Sequence, residues 1–250
     1  IMPSLVGSEM CIRDRPKIIH MCWFSDDPYP VEIKVCLDSW KRVLPDWQVK
    51  VWRMADARAL GIRYVNEALD ARRWAFAADV VRFYAIWAEG GVYMDSDIFI
   101  YRRFDQFLPE DGGCATFHEK IYPAHQDFGL QAAFIMGAKG NEFCRKMVDR
   151  YKASSYILPD GTQNNLISPY VMRQEADKIG YKSVDEELHL DGLTVYPTRF
   201  LAPRKRYPIT SETVGQHRVY GSWRKRKFGR RVEIAAKHWW HVVKYALFKR

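Results

Sequence analysis

Two aspartates one residue apart, Asp95 and Asp97 around Ser96, stand between the short apolar runs Val92-Tyr93-Met94 and Ile98-Phe99-Ile100. Those runs predict a buried strand, where an unpartnered carboxylate costs several kcal/mol. On an extended chain the side chains at i and i+2 project the same way, with Cα atoms roughly 6.5 Å apart, so both can approach one ion. Mg²⁺ or Mn²⁺ suits such a pair: each prefers hard oxygen ligands, takes one or two carboxylates and completes its shell with water and substrate phosphates. Two solvent-facing loop aspartates are the ordinary alternative. An EF-hand loop would need further oxygen ligands and an early glycine, where Phe99 and Ile100 follow instead. A phosphatase of the aspartyl-phosphate type would need a later acidic magnesium pair, and the downstream sequence has none in a suitable setting. Metal-assisted phosphate binding is the chemistry left.

The flanking elements must hold that pair in place. Lys17 to Phe24 is an apolar run closed by Ser25-Asp26-Asp27-Pro28, and predicts a first buried strand. Val31 to Val43 has helical spacing, and Trp47, Val49 and Val51 alternate as a second strand. Helical pattern runs from Tyr64 to Glu89 with Phe76, Val80, Phe83 or Tyr84, and Trp87 on one stripe, and Gly90-Gly91 end it. Further strands are expected at Cys114 to His118, Ala132 to Met136 and Thr194 to Tyr196, and helices at Glu142 to Tyr151 and Leu166 to Ile179. Strands alternating with helices favour an α/β domain with a mostly parallel sheet covered on both faces.

These blocks together resemble a known family, the glycosyltransferases with a DXD sugar-binding region (glycosyltransferase family 32), which includes bacterial capsular-polysaccharide transferases and Golgi α-mannosyltransferases. Pro16-Lys17-Ile18-Ile19-His20 with Trp23-Phe24, then Ser39-Trp40 and Leu44-Pro45-Asp46-Trp47, are similar to its opening landmarks. The most specific block is Ala75-Phe76-Ala77-Ala78-Asp79-Val80-Val81-Arg82 running on to Glu89-Gly90-Gly91-Val92-Tyr93-Met94-Asp95-Ser96-Asp97. A similar segment occurs in the large glucosylating bacterial toxins. The resemblance, spanning roughly Pro16 to Trp223, implies a GT-A fold with a Rossmann-like mixed sheet, a UDP- or GDP-linked sugar donor, a divalent metal and transfer with retention of configuration. By position it implies that Asp79 and Arg82 contact donor sugar and phosphates, and that Asp95 and Asp97 face sugar or ribose and metal. Trp23 resembles the aromatic that stacks on the base.

The residues alone leave plainer readings open. Asp79 and Arg82, at i and i+3, would also make an ordinary surface ion pair, and Trp23 would serve as plain core. His20 reads as a hydrogen-bonded core histidine. The family's C-terminal block of two histidines, an aromatic and Ser-Trp stands here as His217-Arg218-Val219-Tyr220-Gly221-Ser222-Trp223. His217 is therefore the candidate for completing the metal shell, with Arg218 as an alternative phosphate contact. Trp223 either closes over the donor or packs, and Gln126, Asp127 and Gln131 are candidates for the acceptor side.

The chain has 250 residues and a formal charge of +9. From His217 onward eleven Lys and Arg face Glu233 alone, so this tail carries +10 and the preceding 216 residues −1. Within it Val232, Ala236, Trp239 and Val243 form an apolar stripe at helical spacing. Packing on the domain, attachment to an anionic membrane beside a lipid-linked acceptor, and nucleic-acid binding are the readings of a basic amphipathic helix over 229–250. The last defines the alternative function, a non-catalytic surface or nucleic-acid binder. Five scattered cysteines without a CxxC pair predict neither a zinc site nor a disulfide framework, and so a reducing, cytoplasmic setting. Residues 1–15 are expected to be foreign, because Ser4 to Arg15 resembles a translated sequencing adaptor. One transferase domain is then expected over 16–228, serving the synthesis of surface polysaccharide.

Overall fold

The structure, a computed structural model, describes residues 16–109, 112–120, 128–202, 208–220, 239–240 and 243. The segment 1–15, Gln126, Asp127, Trp223 and most of the tail lie outside the described residues. The chain runs β1 (Ile18–Cys22), α1 (Val31–Val43), β2 (Gln48–Trp52), α2 (Met54–Ala59), α3 (Arg63–Asp70) and α4 (Trp74–Glu89). It continues through β3 (Gly91–Met94), β4 (Ile98–Ile100), β5 (Cys114–Lys120), β6 (Phe128–Leu130), β7 (Phe134–Gly137), α5 (Glu142–Lys152) and α6 (Ser168–Asp177). It ends in β8 (Leu188–Leu190), β9 (Leu193–Tyr196), β10 (Leu201–Ala202) and β11 (Gly215–His217).

The main sheet has the order β2-β1-β3-β7-β5-β9-β8, with β6 on β5, and a small second sheet has the order β10-β11-β4. The sheet is mixed rather than mostly parallel. β1 pairs in parallel with β2 and β3, and β5 with β9, whereas β7 is antiparallel to both β3 and β5. The cause is local: a parallel return needs a long crossover, usually helical, and the described residues between Asp95 and Asn141 contain no α-helix.

Strand alternation sorts the apolar residues onto two faces. Ile19, Met21, Val92, Met94, Phe134 and Met136 pack with Trp40 of α1 and the small sheet. Tyr93 and Ile135 point the other way, against α3, α4, α5 and α6. The single helical stretch expected from Tyr64 to Glu89 is two helices. Arg72 enters the left-handed region at φ 55°, and Arg73 N–H donates to Ala68 O at 2.8 Å, closing α3. The restart turns α4 so that Ala77, Val80, Val81, Phe83, Ala85 and Ile86 are buried, while Phe76, Tyr84 and Trp87 of the expected stripe are only partly so. A helix buried on most of its circumference has no clean stripe to read.

Gly90 and Gly91 pass the chain from α4 into β3 at φ 73° and 98°. A Cβ on Gly91 would lie 2.5 Å from Ile18 O, and one on Gly90 would lie 2.8 Å from Lys139 N. Both the backbone conformation and the close approach of β1 therefore require glycine.

Candidate functional site

The C-terminal ends of β1, β3 and β5 and the N-terminal end of β7 meet at one edge of the main sheet. There they border a cleft of about 800 Å³, whose lining includes Trp23, Ala78, Asp79, Arg82, Tyr93, Asp95, Asp97, Glu119, Gln131 and His217.

Asp95, Ser96 and Asp97 form a turn between β3 and β4, not the extended segment expected. Ile98 N–H donates to Asp95 O at 3.0 Å, and Asp95 N–H donates to Ala133 O at 2.9 Å. The turn still converges the two carboxylates, and a third donor joins them. Antiparallel pairing of β4 with β11 sets His217 opposite Ile98, so one ligand atom from each of Asp95, Asp97 and His217 falls within 4.8 Å of the others.

Asp97 is held on every side. Its Oδ1 lies 3.3 Å from His217 Nε2, its Oδ2 accepts the Tyr220 N–H at 2.8 Å, and its carbonyl accepts the Arg218 N–H at 3.0 Å. Burial would lower the pKa of His217, but the charge and hydrogen bond of Asp97 outweigh it and raise the value to about 9. Burial would raise that of Asp97, yet His217 and the Tyr220 N–H lower it. The His217 Nδ1 atom is buried without a hydrogen-bond partner among the described residues. Two carboxylates and an imidazole in its neutral form suit Mn²⁺ and, less well, Mg²⁺.

Asp79 and Arg82 form a buried pair rather than a surface one. Arg82 Nη2 lies 2.8 Å from Asp79 Oδ1 and 3.6 Å from Asp95 Oδ1. The guanidinium also donates to Ala132 O at 2.7 Å and stacks 4.9 Å over the Tyr93 ring. Burial opposes its charge, but Asp95, Tyr93 and Asp79 hold its pKa above the ordinary arginine value. Asp79 in turn accepts the hydroxyl and N–H of Ser168, at 2.7 and 3.1 Å, which ties the start of α6 to α4. The Tyr93 hydroxyl donates to Asp95 Oδ1 at 2.9 Å. One network therefore links α4, β3, the acidic turn and α6.

Trp23 follows β1 directly, half-buried at the cleft, with its ring edge-on to Tyr29 at 4.9 Å and its Nε1–H donating to Asp27 O at 3.1 Å. His20 is wholly buried. It accepts from Trp52 Nε1 at Nδ1, 3.2 Å away, so Nε2 carries the proton donated to Gly90 O at 2.9 Å. Burial lowers its pKa, and the neutral ring anchors the glycine pair. Arg218 does not line the cleft: its guanidinium lies 4.0 Å over the Phe99 ring. Gln131 lines the cleft with its Oε1 accepting the Ala133 N–H at 3.1 Å and its Nε2 unpartnered among the described residues. Sequence reasoning missed Tyr93, Ser168 and Glu119. Only Glu119 carried a signal, as a lone acid at the end of an apolar strand.

Residues 30–113 match the model of the glycosyltransferase sugar-binding region containing a DXD motif. A 108-residue stretch is 29% identical to glucan organizing enzyme 1 of Cryptococcus neoformans var. grubii, covering 42% of this chain. The chain spans 28% of that relative's length. Among solved structures, the PaToxG glycosyltransferase superposes with a TM-score of 0.51 at 19% identity, over 66% of this chain and 69% of its own. An active-site mutant of LgtC gives a TM-score of 0.43 at 13% identity, over 88% of this chain and 95% of its own. Residues 30–113 are thus similar to the glycosyltransferase sugar-binding region containing a DXD motif, and the fold is similar to the GT-A fold of a solved glycosyltransferase.

Proposed function

We propose that the protein transfers a sugar from a UDP- or GDP-linked donor to a hydroxyl of a glycan or lipid-linked acceptor, with retention of configuration, in the synthesis of surface polysaccharide. The observation that carries this reading is the convergence of Asp95, Asp97 and His217 at the mouth of a cleft large enough for a nucleotide sugar. Those three residues would hold Mn²⁺ or Mg²⁺, and a divalent ion there neutralises charge on the departing diphosphate.

The chain's own groups do the rest. Arg82, fixed by Asp79 and Ala132, supplies a second positive charge beside Asp95 that needs no reorganisation during reaction. Trp23 offers an aromatic face to the base. As the anomeric carbon bonds to the acceptor oxygen, its bond to the diphosphate oxygen breaks, and that oxygen takes the acceptor's proton. Attack on the face the leaving group vacates preserves configuration, and no separate base is required.

The transferase domain is assigned to 16–228 and a basic helix to 229–250. Trp239 and Trp240 are 67% and 63% exposed, so Trp239 is not packed in the core. With the +10 tail they favour a cytoplasmic protein resting on an anionic membrane surface, where lipid-linked acceptors are found. No described helix is long and apolar enough to cross a membrane.

A panel of UDP- and GDP-sugars with Mn²⁺, read as release of nucleoside diphosphate, tests the reading. Turnover of at least one donor, abolished by chelator, is expected; no turnover of any, with RNA binding instead, would leave the non-catalytic alternative.

A further inference from the structure

We propose that Glu119 recognises the acceptor, its carboxylate accepting a hydrogen bond from a hydroxyl of the molecule that attacks the donor sugar. This rests on the transferase reading above and extends it to the opposite end of the cleft.

Strand order gives the cleft a direction. Trp23 stands at the end of β1, Asp95 at the end of the neighbouring β3, and Gln131 to Ala133 lead into β7, the next strand along. β5 comes after β7, and Glu119 sits near its C-terminal end. The register agrees: Asp95 N–H bonds to Ala133 O, and Gln131 N–H bonds to Phe117 O at 2.8 Å. Neighbouring strands are about 4.8 Å apart, which puts Glu119 roughly 10 Å beyond the acidic turn, on the side away from Trp23. A donor laid with its base at β1 and its diphosphate at β3 brings its sugar over β7. The position beyond that sugar, over β5, belongs to the acceptor.

Side-chain alternation aims Glu119 into this space. Ala115 and Phe117 face the cluster that contains Met94 and Ile98, so Glu119, two residues further along the same strand, leaves on that face. His118 points the other way, to Tyr181. Glu119 lines the cleft, and its charge reaches His217. Its oxygens nevertheless stand outside the group of ligand atoms formed by Asp95, Asp97 and His217. It is a carboxylate of the cleft set apart from the metal ligands, and an ionised carboxylate is a strong acceptor for hydroxyl donors.

The test is Glu119→Gln in the full chain, with Glu119→Asp as the conservative control. Affinity for Mn²⁺ with UDP and with GDP is measured by titration calorimetry. Turnover is measured as donor hydrolysis, where water is the acceptor and its second hydrogen meets Glu119, and as transfer to free glucose, mannose, galactose and N-acetylglucosamine. The expected result is nucleotide affinity within about twofold of the parent, with hydrolysis about tenfold slower or more, the donor KM unchanged and part of the rate restored in Glu119→Asp. Hydrolysis at the parental rate would overturn the proposal. So would a parallel loss of Mn²⁺ and nucleotide affinity, which would make Glu119 part of the metal site. A parent that neither hydrolyses nor transfers from any donor would refute the transferase reading itself.

Discussion

Asp97 and His217, 120 residues apart in sequence, meet with Oδ1 3.3 Å from Nε2 because β4 and β11 pair antiparallel in the small sheet. The contact places an imidazole beside the two acids of the motif, and it makes the triad sensitive to pH. The Asp97 carboxylate holds the pKa of His217 at about 9, above the ordinary histidine value of 6.5. The ion pair therefore contributes stability in full below pH 6.5, and that contribution is lost as pH rises through 9. A metal needs the neutral ring, so its affinity should run the other way, rising about tenfold per pH unit up to 9. Melting in chelator and Mn²⁺ titration between pH 6 and 9.5 should show the two opposite slopes, and His217→Gln should flatten both.

Asp97→Ala should reduce metal-dependent release of nucleoside diphosphate by about a thousandfold, the scale of a lost electrostatic stabiliser. It should also loosen the 217–220 segment, because the Tyr220 N–H loses its acceptor. Asp95→Asn should cost less binding, since the amide still accepts from Tyr93. Circular dichroism like the parent's together with lost turnover is the expected pair of results; full activity of Asp97→Ala in chelator would exclude the mechanism.

The Asp79–Arg82 pair should matter to stability as well as to donor binding. Removing Arg82 leaves Asp79 buried and uncompensated, and removing Asp79 leaves Arg82 with the more distant Asp95 alone, at a cost of about 3–5 kcal/mol. Asp79→Ala also strips the N–H and hydroxyl of Ser168 of their acceptor. Denaturant unfolding should show that loss for Asp79→Ala or Arg82→Ala, and about 1 kcal/mol for Ser168→Ala.

Gly91→Ala should be more damaging than any surface glycine substitution. It would need both a left-handed alanine and a Cβ 2.5 Å from Ile18 O, while the same change at Gly61 meets no atom within 4 Å. Expected is a loss exceeding about 3 kcal/mol with displacement of β3 and the acidic turn, read as a lower melting temperature and weaker Mn²⁺ binding. Gly61→Ala should cost about 1 kcal/mol, through its backbone alone.

Local periodicities along the chain are enough to place its early elements. α1 falls where the spacing of Ile33, Leu37 and Trp40 placed it, β1 lies within its apolar run, and β2 overlaps the alternation of Trp47, Val49 and Val51. The helix, two glycines, strand and acidic pair appear in the order written, because burial and glycine conformation act over a few residues. Tertiary structure alone decided how the distant pieces meet. The sense of β7 and β5 depends on which strands share hydrogen bonds, so the main sheet became mixed, and the closing turn at Arg72 depends on how α4 docks. Ser168 came to Asp79 from 89 residues away, and His217 came to the motif through the pairing of two three-residue strands. Contacts of that kind follow from packing and register between remote segments, which a reading confined to neighbouring residues does not contain.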